Sequence, residues 1–323
     1  MSRRRVITLF IIVFVNFLGG TIVLPTLPLY SQRHFGASPE TISFLLASFF
    51  VAQFLAAPVL GRLSDKYGRL PVLLVSQFGT FISFVLLVGA QSLPMLFAAR
   101  ILDGITGGNI IVAQAYITDI TPQEKRAQGL GIVFAGFGLG YIVGPAVGGL
   151  LGATFDDSAP FFVGAAISLM AVLLTYVALD ESLPKEARLA QQGQARMHIS
   201  DIIGNIPLLL ILLIAFCAQF SIAVFQATIA LFGEEVVFVG YTEREVNLGV
   251  GLMLTGIGVG QFITQLVLLR PLVERFGERR LVVVGAVLRG MGILSLTVFT
   301  SPWLIGSFSL VLVAAASGVM MPS

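Results

Sequence analysis

The chain has 323 residues, a mean hydropathy of +0.95 and 11% charged residues, against roughly 25% in an ordinary soluble domain. That much apolar surface excludes a core folded in water, and a formal net charge of +2 is too small for a nucleic-acid-binding surface. One cysteine, Cys217, and two histidines, His34 and His198, exclude a disulfide framework and leave no metal cluster.

Ten apolar segments are each close to the ~20 residues that a helix needs to cross the hydrocarbon. In chain order they cover 6–30, 42–60, 71–90, 94–118, 128–152, 159–179, 206–232, 246–269, 281–300 and 302–322. None alternates over about ten residues as a β-barrel strand would, so the expected fold is an all-α membrane protein. With the N-terminus inside, fifteen of the 19 Lys and Arg residues fall in the inner pieces and only Arg33 and Arg244 in the outer loops. This asymmetry places the N-terminus in the cytoplasm of a multi-pass protein of the plasma (inner) membrane.

The first span carries Asn16 and ends in Pro25-Thr-Leu-Pro28. Between spans two and three lies Gly61-Arg-Leu-Ser-Asp65-Lys-Tyr-Gly68-Arg69, a short charged turn between two long apolar runs. A related stretch returns 209 residues later, where Asp65 corresponds to Glu274, Lys66 to Arg275, Tyr67 to Phe276 and Gly68 to Gly277. A charged loop repeated at half-chain spacing points to two related halves. The longest polar stretch follows span six. The expected organisation is therefore a six-helix half over 1–180, a cytoplasmic linker over 181–205 and a partial half over 206–323. Two more spans would complete the symmetry, so the sequence reads as a twelve-span protein truncated after span ten.

Span four carries Arg100-Ile-Leu-Asp103-Gly104. Counting ~1.5 Å per residue from Pro94, Arg100 lies roughly 9 Å and Asp103 roughly 14 Å below the outer boundary. At i and i+3 the two share a helix face and can pair. A lone charge at that depth costs about 2.5–3.5 kcal/mol, so a close pair indicates compensation or function. Asp103 is the candidate to take up and release a proton, with Arg100 beside it; a static ion pair is the other reading. Span five carries Gly140-x-x-x-Gly144-Pro145-x-x-Gly148-Gly149. Glycines four apart clear one helix face for a close neighbour, Pro145 bends the helix, and the glycines of span eight, Gly249, Gly251, Gly256, Gly258 and Gly260, offer a partner face.

Taken in this order, these motifs resemble the major facilitator superfamily over essentially the whole chain. More narrowly, they resemble its drug:proton antiporter branch, the tetracycline-efflux and multidrug-efflux proteins. The resemblance implies a major facilitator fold of two six-helix halves, the second incomplete with ten spans present. It implies that Gly61, Asp65, Gly68 and Arg69 form a conformational latch, with Asp119 at the base of span four as partner of Arg69. Leu70 stands where the pattern often has a second basic residue. Arg100 and Gly104 match an Arg-x-x-x-Gly motif whose arginine is implicated in proton handling. Gly140, Gly144, Pro145, Gly148 and Gly149 match in full a pattern that marks exporters and is thought to seal the outer side. In this fold spans one, four, seven and ten face the cavity, which selects Asn16, Asn109, Gln219 and Gln226 as substrate-cavity candidates. Tetracycline-efflux proteins often carry acids where this chain has Asn16 and Arg289, so tetracycline itself is not implied.

No Gly-x-x-x-x-Gly-Lys-Ser/Thr loop is present and no nucleophile stands beside a base, so neither ATP, another cofactor nor catalysis is expected. The expected activity is secondary active export of small amphipathic or drug-like molecules by alternating access, coupled to protons. A metabolite symporter of the same fold and a non-transporting truncated membrane protein are the alternatives. The expected partners are a small-molecule substrate, the proton and the lipid bilayer.

Overall fold

The computed structural model describes residues 3–107, 109–123, 126–183 and 228–296, together with positions 205, 206, 209, 210, 213, 220, 224, 225 and 298. Among the described residues there is no strand. The helices start and stop for local reasons. α1 (Arg3–Thr21) breaks before Pro25 and resumes as α2 (Thr26–Phe35). Ser38 caps α3 (Pro39–Tyr67), its Oγ accepting from the Thr41 N–H at 3.3 Å, and Pro39 occupies the first helical position. Gly68, at φ 107°, turns the chain at once into α4 (Arg69–Val88), a backbone conformation that side chains resist. Then follow α5 (Leu93–Thr106), α6 (Asn109–Ile120), α7 (Arg126–Thr154) and α8 (Ala159–Ala178).

Beyond residue 228 a helical stretch ends in a π turn, Gly233–Val237. Thr242 and Glu245 form a capping box that opens α9 (Glu243–Ile263). A second π turn, Thr264–Leu268, leads to α10 (Leu269–Phe276), and Gly277, at φ 76°, turns into α11 (Glu278–Ser295). Gly68 and Gly277 are thus equivalent hinges, each a glycine of positive φ joining two helices directly. The cations before them match as well: Lys66 lies 5.1 Å over the Tyr67 ring and Arg275 lies 5.5 Å over the Phe276 ring.

Among the described residues, seven helices are long and apolar enough to cross a membrane: Ile7–Phe35, Pro39–Tyr67, Arg69–Val88, Leu93–Ile120, Gly129–Thr154, Ala159–Ala178 and Glu243–Ile263. They account for the first six expected segments and for the one at 246–269. The segment at 281–300 is α11, which does not join the seven because Glu278, Arg279, Arg280 and Arg289 all lie on it. The segment at 302–322 and most of 206–232 and of the linker 181–205 lie outside the described residues.

The surface is inverted relative to that of a protein in water. α4 buries Ser76, Gln77, Thr80 and Ser83 while Val75, Phe78 and Val85 face outward. In lipid that arrangement hides polar groups from hydrocarbon. α1 packs on α7 and α8, α4 on α5 and α8, and α3 on α5; α9 lies against α7 and is the main contact of the later helices with the earlier ones. Two ends of the bundle can be distinguished by their turns. One end carries Gly68, the α6–α7 turn and Gly277; the other carries Gly36, the α7–α8 turn and the 238–242 turn.

Candidate gate and coupling sites

At the Gly68 end, Arg69 is the centre of a polar cluster that joins α3, α4 and α6. Its Nη1 donates to Asp65 Oδ1 at 2.6 Å and to Ser64 Oγ at 2.7 Å, and its Nε donates to Asp119 Oδ2 at 2.9 Å. The spacing Asp65–Arg69 puts the two within reach across the Gly68 turn, and α6 delivers Asp119 from 50 residues away. Glu181, just beyond α8, adds a cap. Its carboxylate accepts the first two N–H groups of α4, from Arg69 at 2.8 Å and Leu70 at 3.2 Å. A carboxylate at a helix N-terminus satisfies orphan donors and complements the helix dipole. Gly61 is different: a Cβ there would meet nothing within 4 Å, so packing does not require a glycine in this conformation.

Halfway along the bundle, Arg100 Nη1 donates to Asp103 Oδ2 at 2.9 Å. Both side chains are buried, and the guanidinium lies 4.3 Å from the centre of the Phe49 ring on α3. On α4, Thr80 and Ser83 are buried, and the Ser83 hydroxyl donates to the Thr80 carbonyl at 2.7 Å. The next turn of α5 is pressed onto α3: a Cβ at Gly104 would lie 2.7 Å from Ala52 Cβ, and Gln53 Nε2 donates to the Gly107 carbonyl at 2.9 Å.

The glycines of α7 divide between two partners. Gly140, Gly144 and Gly148 face α1 and the turn after it; a Cβ would lie 2.7 Å from Phe17 Cβ at Gly140 and would collide with Thr21 at Gly144 and with the Ile22 carbonyl at Gly148. Thr21 Oγ1 also donates to the Gly140 carbonyl at 2.9 Å. Gly149 instead faces α9, where a Cβ would lie 2.7 Å from the Asn247 carbonyl and 2.8 Å from Gly251 Cα. From the other side, a Cβ at Gly251 would lie 2.8 Å from the carbonyl of Pro145. Of the remaining span-eight glycines, Gly258 faces Ile142, Gly249 is filled by Phe238 and Gly256 meets nothing within 4 Å.

At the Gly36 end an ionic network closes over this seam. Arg33 Nη1 donates to both oxygens of Asp157, at 3.1 and 2.9 Å, while its Nε and Nη2 donate to Glu234 Oε1 at 3.0 and 2.8 Å. Asn247 Nδ2 donates to Asp157 Oδ1 at 2.7 Å, and Gln32 Nε2 donates to Glu235 Oε1 at 2.9 Å.

Of the cavity candidates, Asn16 lines a narrow cleft with Leu9, Phe17, Leu73, Gln77 and Ala113, among α1, α4 and α6. Asn109 opens α6, but its side chain, like the whole of Gln219 and Gln226, lies outside the described residues. Sequence reasoning missed Glu181 and the network of Arg33, Asp157, Glu234 and Asn247. The one usable signal was Arg33 itself, one of only two basic residues on the side that is otherwise free of them.

Three comparisons bear on this geometry. The family model of the Major Facilitator Superfamily matches residues 9–246. The class C tetracycline resistance protein of Escherichia coli is 33% identical over 327 residues, covering all of this chain and 80% of that protein. Multidrug resistance protein 2 of Bacillus subtilis is 29% identical over 294 residues, covering 87% of this chain and 72% of that protein. Among solved structures, the human organic anion transporter MFSD10 superposes with a TM-score of 0.72 at 22% identity, over 98% of this chain and 83% of that one. A D-xylose-proton symporter reaches 0.74 at 18% identity, over 98% and 80%; at these identities the likeness concerns the fold.

Proposed function

This chain belongs to the Major Facilitator Superfamily, and from that premise we propose a secondary active transporter that exports small amphipathic, drug-like molecules in exchange for protons. The reading draws on similarity to tetracycline and multidrug resistance proteins along most or all of the chain. The observation that carries it is the glycine seam. Residues 140–149 put three glycines against the first span and its turn, within the first half, and a fourth, Gly149, against Gly251 of α9, so the early and later helices meet backbone to backbone at one end.

Among the described residues Arg62, Lys66, Arg69, Arg126, Arg275 and Arg280 lie toward the Gly68 end, and this basic bias supports reading that end as cytoplasmic. The glycine seam and the Arg33 network then lie toward the outside, and the conformation described is closed outward. The halves 1–180 and 206–323, joined by 181–205, rock about the substrate. The Arg69 cluster is the latch that forms and breaks on the cytoplasmic side. Asp103 is the proton carrier: it sits beside Arg100 in a site dry enough that its charge state changes the local balance. Loading substrate would alternate with protonation, so the proton gradient drives export. Cofactors and a catalytic step have no place in this cycle.

The test is uptake of amphipathic cations and antibiotics into everted membrane vesicles holding the chain. Uptake that requires an acid lumen and collapses with a protonophore is expected. Uptake indifferent to the gradient, or accumulation only in right-side-out vesicles, would contradict export by proton exchange.

A further inference from the structure

We propose that Arg33 is the outer-gate residue: it and Asp157 form a preassembled arm on the first half, and the arm's bonds to Glu234 and Asn247 are the ones that break each time the transporter opens outward. The inference rests on the exporter reading for the direction of opening, but the arm itself is read from geometry.

The bonds sort into two kinds. Arg33 to Asp157 joins the end of α2 to the α7–α8 turn, both within the first six spans. Arg33 to Glu234 and Asp157 to Asn247 cross to the later helices, over 201 and 90 residues of chain. Asp157 is almost fully spoken for: its two oxygens accept three hydrogen bonds, and its side chain is 6% exposed. Glu234 is held by one oxygen only. Its Oε2 is buried and accepts no hydrogen bond among the described residues, and its side chain is 23% exposed. Asp157 and Arg33 both belong to the first half and hold each other, so the bonds that separate when the halves part are those from Arg33 to Glu234 and Asn247 and from Asn247 to Asp157.

Position supports the same assignment. Asn247 is buried, and its carbonyl packs on Gly149 while its amide holds Asp157. The ionic network is thus the lid of the glycine seam, and α7 cannot part from α9 until the lid is released. A charge-assisted arginine–carboxylate contact suits this role because it is strong when dry and exchanges readily for water once parted.

The experiment measures distance. Spin labels replace two exposed side chains, Phe155→Cys in the α7–α8 turn and Val239→Cys after the π turn, with Cys217→Ser removing the native thiol. In lipid nanodiscs the unaltered network should give mainly the short distance. Arg33→Gln and Glu234→Gln should each raise the ratio of long to short roughly tenfold, and the double variant should add little further. Arg33→Lys, which keeps a cation but not the fork that reaches both Glu234 and Asp157, should give an intermediate ratio. Asp157→Asn, which loosens the arm, should raise the ratio while leaving both partners across the seam intact. Distributions unchanged by Glu234→Gln and Arg33→Gln would overturn the proposal. So would shifts of Arg33→Gln and Glu234→Gln that simply add in the double variant, since those report general loosening. Because distance is read without substrate, a failed transport assay would refute the exporter reading and leave this result standing.

Discussion

Gly149 and Gly251 come so close that a Cβ built on either would lie within 2.8–2.9 Å of the other's Cα. They sit on α7 and α9, helices separated by the entire polar stretch after span six. The contact joins the first half of the chain to the second with no side chain between. In lipid, where apolar helices gain little by leaving the solvent, such backbone approach is a principal source of helix association. This contact must also open if substrate is to leave at that end.

Substituting at the seam should therefore act on both stability and cycling. Gly149→Val forces α7 and α9 apart; overpacking of this kind costs roughly 1–3 kcal/mol. Thermal unfolding in detergent should shift downward and export should be lost while the protein remains in the membrane. Gly256→Ala, where a Cβ meets nothing, should leave both unchanged and serves as the comparison. Gly144→Leu, which drives a side chain into Thr21, should behave as Gly149→Val does.

The Arg69 cluster predicts an order among its members. Asp65 is 54% exposed and its pairing is screened by water, so Asp65→Asn should change stability little, within the ~0–1 kcal/mol of surface pairs. Asp119, at 18% exposed, should matter more, and Arg69→Ala most because it strands Ser64, Asp65 and Asp119 together. Melting temperature and export rate measured on the three variants check the order; Asp65→Asn as the most damaging for stability would contradict it.

Glu181 should behave as a helix cap. Glu181→Ala leaves the Arg69 and Leu70 N–H groups of α4 without their acceptor and should cost about 1 kcal/mol, with Glu181→Gln recovering part of it. Thermal unfolding is the measurement, and equal stability of all three proteins would count against the assignment.

The buried pair in span four predicts strong asymmetry between single and double changes. Arg100→Ala alone leaves the Asp103 carboxylate uncompensated, a loss of roughly 3–5 kcal/mol, or forces it to stay protonated. Arg100→Gln together with Asp103→Asn should restore expression and folding, because no charge is left buried. It should not restore proton coupling. Recovery of coupling in the double variant would remove Asp103 from the mechanism.

Much of this architecture was legible from the sequence because lipid imposes simple rules. Hydrophobic length marked the first six spans and α9, and the equal spacing of Gly68 and Gly277 marked the repeat. Helical periodicity put Arg100 beside Asp103 and the glycines of α7 on usable faces. The split of those glycines between α1 and α9 was not legible, since both faces carry small residues and only tertiary packing assigns them. Nor were Glu181 and the Arg33 network. Their partners lie 90–214 residues apart in and beside polar turns, where no periodicity relates one position to another. Gly61 shows the converse: the motif includes it, but nothing packs on it in this conformation.

The most direct test of the central claim is proton movement itself. Everted vesicles with an acidified lumen are given an amphipathic substrate, and lumenal pH is followed by a fluorescent indicator, with Asp103→Asn vesicles alongside. The account predicts that substrate triggers proton efflux from the lumen and that Asp103→Asn abolishes it while the protein remains folded and in the membrane. Substrate uptake without proton efflux, or proton efflux that survives in Asp103→Asn, would contradict it.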